Sequence, residues 1–194
     1  KMFVISLSMA VFSNFYIGYM MCIFVALYFF YYYFACTPEE RNPLGVKNHF
    51  VKSLGRIGVF SVITLMICAA LLLCTYYSLT FGKTEFSNPN YAFEQKFDWI
   101  DMISKFYFGS YDTVRPEGLP FLYSGMLTLI LAPLYLFAPH IKVREKIASG
   151  ALVAVFFLSF NATTLDLFWH GMQRPNWLNY RYSFILCFIL ILMA

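Results

Sequence analysis

Apolar residues run along this chain in long blocks separated by polar stretches. A bilayer core takes about 20 apolar residues at roughly 1.5 Å each, so blocks of this length predict membrane-spanning helices. Met2 to Ala35 is apolar almost throughout and would overshoot the hydrocarbon as one straight helix. Ser13 and Asn14 supply a break, because both favour caps and turns over helix interiors. The pattern therefore predicts a partial span over 2–12 and a full span over 15–35, with Asn14, Tyr16, Gly18 and Tyr19 at its mouth. Further spans are predicted over 57–81, over 120–138 with a kink at Pro133, over 147–168, and over 183–194.

The long polar loop 82–119 carries its own periodicity. Asn88-Pro89 reads as an N-cap followed by proline at the first helical position. Phe93, Phe97, Ile100, Ile103 and Tyr107 follow at helical spacing, with Glu94, Asp98, Asp101 and Lys105 on the opposite face. This predicts an amphipathic helix from Asn90 to Phe108, lying along the membrane surface or packed on the bundle. The expected fold class is all-α, a polytopic transmembrane helical bundle in which residues 1–194 form a single domain.

Composition agrees. The chain is 60% hydrophobic, 21% aromatic and only 12% charged, whereas charged residues alone make up about a quarter of a soluble domain. Lys1 is no initiator, and the apolar run from Tyr182 stops at Ala194 without a polar flank. The chain is thus expected to be an internal piece of a longer protein, with no signal peptide to interpret. Cys22, Cys36, Cys68, Cys74 and Cys187 lie in or beside apolar runs, never as CxxC or near spaced histidines. They read as small hydrophobic side chains, and neither a disulfide nor a metal is expected.

The distribution of charge gives an orientation. Loops 36–56 and 139–147 lie two spans apart and each nets +2, while loop 82–119 is net acidic. By the positive-inside rule the first two are expected on the cytoplasmic side, and loop 82–119 and residues 169–182 on the extracellular side.

One stretch, Trp169 to Phe184, gathers His170, Arg174, Asn176, Trp177, Asn179, Tyr180, Arg181 and Tyr182 between apolar runs. A charge at the bilayer centre costs roughly 2.5 to 3.5 kcal/mol even on lenient scales. The cluster should therefore sit at a membrane boundary, facing protein or a wet cavity. Asp166 and His170 share a face if the helix continues, as an aspartate orienting an imidazole in acid–base catalysis or as a helix end wetted by headgroups. Arg181 lies where a span begins and suits a phosphate or an internal ion pair, whereas Arg174 suits snorkelling to headgroups. Trp169, Trp177, Tyr180 and Tyr182 form an interfacial aromatic belt or stack on a sugar. Asn161-Ala162-Thr163 matches a glycosylation acceptor but lies inside a span, so it carries no weight. There is no GxGxxG, GxxxxGK[ST] or HExxH, which argues against a nucleotide-bound substrate and favours a lipid-linked one. No cofactor and no nucleic-acid partner is expected.

The block Ser13-Asn14-Phe15-Tyr16-Ile17-Gly18-Tyr19-Met20, the run Pro120-Phe121-Leu122-Tyr123-Ser124-Gly125, and Trp169-His170-Gly171 with Pro175-Asn176 and Tyr180-Arg181-Tyr182-Ser183-Phe184 resemble the bacterial YfhO family of multi-spanning membrane proteins. The resemblance covers nearly the whole chain in order. It implies a GT-C-like glycosyltransferase that takes a sugar from a polyprenyl-phosphate carrier and passes it to an acceptor outside the cytoplasm, a cell-envelope polymer such as lipoteichoic acid. In such enzymes the catalytic acid usually lies in the first external loop, which here would precede Lys1. On this expectation Arg181 and His170 meet the carrier phosphate and Asp166 orients His170. Asn14, Tyr16 and Tyr19 line the cavity, Trp169 binds substrate, and Asn176 and Tyr180 hydrogen-bond sugar hydroxyls. A lipid or glycolipid transporter, which also wants a broken helix, and a non-catalytic envelope scaffold are the rival classes.

Overall fold

The computed structural model describes residues 1–82, 91–110, 118–173 and 179–194. Among these, all regular structure is helical apart from one isolated antiparallel bridge, Gln95 with Ala162. The chain divides into two compact units, Lys1–Glu85 and Phe86–Ala194.

In the first unit, α1 (Met2–Ser13) and α2 (Phe15–Ala35) meet at Asn14, whose backbone is extended. The Asn14 side-chain oxygen accepts from the backbone amides of Tyr16 at 3.0 Å and Ile17 at 3.1 Å. Two of the four amides that a helix start leaves unbonded are thereby satisfied, which is why the break falls where the apolar pattern predicts it. The two helices then pack closely, and a Cβ on Gly18 would stand 2.7 Å from Val11 Cα. A capping box on Thr37 and Glu40 opens the short α3 (Pro38–Arg41), and the Arg41 guanidinium lies 4.2 Å above the Tyr33 ring.

The expected span over 57–81 differs in two ways. Its helix, α4 (His49–Ile67), starts well inside the polar connection, because Lys52 and Arg56 ride on its exposed surface and leave the backbone ladder intact. It is also interrupted at Cys68 before α5 (Ala69–Gly82) begins. The turn seats the fully buried Cys68 so that its Sγ reaches the Ser8 carbonyl at 3.8 Å. Helices α2 and α4 are each long and apolar enough to cross a membrane.

In the second unit the expected amphipathic helix from Asn90 to Phe108 is replaced. The start signal Asn88-Pro89 lies outside the described residues. Residues 91–98 form no helix, and only α6 (Trp99–Ile103) and a 3-10 turn (Ser104–Phe106) follow. The helical spacing of the aromatics gave way to tertiary hydrogen bonds, as short segments commonly do. The expected span over 120–138 begins later, at α7 (Met126–Phe137), which contains Pro133. Gly125 before it holds φ at 102°, a backbone that side-chain-bearing residues rarely adopt, while Leu119 and Leu122 are buried in the irregular lead-in.

The expected span over 147–168 is two helices. Helix α8 (Val143–Asn161) starts in the basic connection and stops at an extended Ala162, after which α9 (Thr163–Trp169) resumes. The last helix is α10 (Ser183–Met193), which packs on α7 and α8.

Candidate functional site

The stop at Ala162 strips carbonyls and amides of their helical partners, and residues 91–98 supply replacements. The Lys96 amide donates to the Asn161 carbonyl at 2.9 Å, and the Thr163 amide donates to the Glu94 carbonyl at 3.1 Å. Thr163 and Thr164 hydroxyls donate to the Glu94 and Tyr91 carbonyls at 3.0 and 3.1 Å. Asn161 Oδ1 accepts from the amides of Lys96 and Phe97 at 3.1 and 3.2 Å. The segment therefore works as a strap across the break, satisfying groups that an apolar surrounding would otherwise leave costly.

The strap brings a cation to a buried acid. Lys96 Nζ donates to Asp166 Oδ2 at 2.5 Å, with the Asp166 side chain only 1% exposed. The other carboxylate oxygen, Oδ1, lies 3.0 Å from the Tyr182 hydroxyl, which also lies 2.9 Å from the Ser159 carbonyl. His170 Nδ1 lies 2.8 Å from the Asp166 carbonyl and 3.5 Å from its Oδ1. The main-chain oxygen is the nearer partner and assigns the proton to Nδ1.

Helix α9 ends so as to put His170 there. Gly171, at φ 68°, takes the left-handed position beyond the His170 cap. Its amide donates to the Phe168 carbonyl, and the Met172 amide donates to Leu167 at 2.8 Å, closing a Schellman turn. The Trp-His-Gly order is thus a helix ending that fixes the imidazole.

Aromatic rings wall the cluster. Tyr182 stacks between Trp169, with centroids 4.7 Å apart and planes 8° apart, and Phe160 at 4.9 Å and 15°. Trp169 is also 5.2 Å from Phe156 and 2% exposed, so the residue expected to meet substrate lies inside this stack. Tyr180 holds a left-handed φ of 56° and lies 5.0 Å beneath Lys96 Nζ, with Phe97 and Phe160 at its edges. A residue with a side chain held there stores on the order of 1–3 kcal/mol of strain, so its surroundings must over-determine it.

Burial lowers the His170 pKa below its ordinary 6.5; Asp166 pulls it back up, while the charges of Lys96 and Arg181 push it further down. The ring is therefore held neutral by its setting. Burial raises the Tyr180 and Tyr182 hydroxyls, with the Asp166 charge adding to the effect. Both remain hydrogen-bond donors near neutral pH.

Of the expected site residues, Asp166, Trp169, His170, Tyr180 and Arg181 fall in this second unit around one junction. Asn14, Tyr16 and Tyr19 belong to the first unit, at the start of α2, where Asn14 is a helix cap. Asn176, with Arg174 and Trp177, lies outside the described residues. Lys96 and Asn161 were missed. The signal for Lys96 was Asp166 itself, since an acid in an apolar run calls for a cation. The signal for Asn161 was its place beside Thr163 and Thr164 inside a span, where a run of hydrogen-bonding side chains marks a helix break.

A chain that is 60% hydrophobic, helical wherever its structure is regular and equipped with two helices able to cross a bilayer is an α-helical membrane protein. The family model described as bacterial membrane protein YfhO matches residues 1–194, and the chain belongs to that family. No curated protein and no solved structure gives a match to it.

Proposed function

We propose that this chain is part of a membrane glycosyltransferase that moves a sugar from a polyprenyl-phosphate carrier to an extracellular cell-envelope polymer such as lipoteichoic acid. The observation that carries the reading is the junction where Asp166, 1% exposed at its side chain, meets Lys96, Tyr182 and His170. Polar groups this concentrated in so apolar a chain are expensive unless they are used.

In this reading Arg181 and His170 face the carrier phosphate, whose negative charge grows as the sugar–phosphate bond breaks. With its Nδ1 proton given to the Asp166 carbonyl, the neutral His170 presents Nε2 as an acceptor, so Arg181 is the donor to the phosphate. Asp166 is a positioning residue, because its carbonyl and carboxylate hold the His170 ring and the Tyr182 hydroxyl. Tyr180 hydrogen-bonds the sugar, as does Asn176. Trp169 shapes the wall. Loops 36–56 and 139–147 face the cytoplasm and residues 169–182 the exterior, as charge along the chain favours.

The test uses the full-length protein in membranes supplied with a polyprenyl-phosphate sugar. Arg181→Ala and His170→Ala should each lower transfer by about a hundredfold. Transfer at the parental rate by both would remove the assignment.

A second reading has one observation in its favour. Helix interruptions, here at Ala162, are used by transporters to hold a substrate on exposed backbone groups. In this chain the interruption is filled by the 91–98 strap, which favours the transferase. Carrier-lipid movement across proteoliposomes without any glycosylated product would reverse that preference.

A further inference from the structure

A cavity of about 140 Å³ opens beside the Asn161 junction. Its surface is mostly apolar, with Phe93, Trp99 and Leu158 on it, and only a small polar part where Glu94, Gln95 and Asn161 border it. It is well below the roughly 300 Å³ of sites for drug-sized ligands, so it suits one ring rather than a chain.

Asn161 is the informative wall. It is 3% exposed, and its Oδ1 is committed to the amides of Lys96 and Phe97. Those two donors fix which way the carboxamide points, so Nδ2 and both its hydrogens lie on the other side. No hydrogen bond from Nδ2 is formed to the described residues, and the atom is not among the buried polar atoms, so it keeps some access from outside. Gln95 gives its Nε2 to the Phe97 carbonyl at 2.9 Å, leaving Oε1 as an acceptor. Trp99 is 43% exposed and Phe93 75%, so both rings are open to a ligand.

The chemistry of this lining selects among ligands. Among the described residues it holds no lysine or arginine, so it offers a phosphate no cation. An isoprenoid tail would leave the Asn161 donor buried and unsatisfied. A pyranose fits, because its C–H face lies flat on an aromatic ring while its hydroxyls both donate and accept.

We propose that this cavity is a neutral-sugar subsite, in which Trp99 is the stacking platform, Asn161 Nδ2 donates to a hydroxyl and Gln95 Oε1 accepts from another. This deepens the transferase reading and rests on it for the ligand's identity.

The experiment measures two things on full-length protein in nanodiscs: transfer kinetics, and perturbation of tryptophan fluorescence by free glucose, galactose and N-acetylglucosamine. Trp99→Ala should raise the KM for one sugar-bearing substrate about tenfold with kcat within about twofold of parental, and Trp99→Phe should recover most of the loss. Phe93→Ala, at a largely exposed side chain, should give a smaller rise and guards against misfolding at Trp99. Parental KM values in both alanine variants would overturn the subsite while leaving the transferase intact. If the parental protein transfers no sugar but binds a free hexose in a manner lost in Phe93→Ala, the transferase reading fails and the subsite stands. If it neither transfers nor binds, both fail.

Discussion

Lys96 and Asp166 are 70 residues apart in sequence and 2.5 Å apart in space, and their contact ties the 91–98 strap to the second half of a broken helix. Asp166 is 1% exposed and the Lys96 side chain 27%, so removing the lysine leaves a buried carboxylate uncompensated, at about 3 kcal/mol, while removing the aspartate leaves a lysine that reaches water and costs less. Lys96→Met should therefore lower thermal stability markedly, and Asp166→Asn should lower it less. The double variant should lose clearly less than the sum, because neither charge is then stranded. Additive losses in a thermal-unfolding cycle would show that the pair carries no coupling. Tyr182→Phe, which keeps the ring stack and removes one donor to Asp166, should cost about 1–3 kcal/mol on the same measurement.

The His170 setting predicts how stability changes with pH. Its folded pKa lies below the 6.5 of the free side chain, so between those two values the unfolded chain binds more protons than the folded one. Stability contributed by a neutral His170 is present above pH 6.5 and declines as pH falls through 6.5 toward the folded value. His170→Gln should flatten that part of the thermal-midpoint profile between about pH 7 and pH 5. Profiles of equal slope in that window would place the pH sensitivity elsewhere.

Gly18 predicts a steric limit in the first unit. A Cβ added there would stand 2.7 Å from the Val11 Cα and 2.9 Å from the Val11 Cγ2. Backbone atoms cannot rotate away, so Gly18→Ala must move α1 from α2, at about 1–3 kcal/mol. Val11→Ala in the same chain should relieve only part of the loss, because the clash with the Val11 main chain persists. Full restoration of the melting temperature by that second change would mean that the side chain, not the backbone, set the spacing.

How much of this was legible depended on where the determining interactions lie. The α1–α2 break was readable at Ser13-Asn14 because a cap is a local device that needs only its own residues. The spacing of Asp166 and His170 was readable for the same reason. The strap was not: Phe93, Phe97, Ile100 and Ile103 do fall at helical intervals, and nothing nearby says that the Lys96 and Phe97 amides will bond Asn161. The interruption at Ala162 carries no proline or glycine, so its cause also lies far away, in the strap's competing bonds. Trp169 looked interfacial by composition, and its burial follows from a stack with Tyr182 that sequence spacing could not order.

The distance along the chain between Lys96 and Asp166 also has a consequence for biosynthesis. A ribosome that has just released Lys96 must add 70 more residues before the aspartate exists. Throughout that interval, several seconds at about 5–20 residues per second, the ammonium has no native counterion and the strap has no helix end to bridge. Completion of the second unit is consequently a late event in synthesis, and Lys96 must remain hydrated or sheltered by the insertion machinery until it occurs.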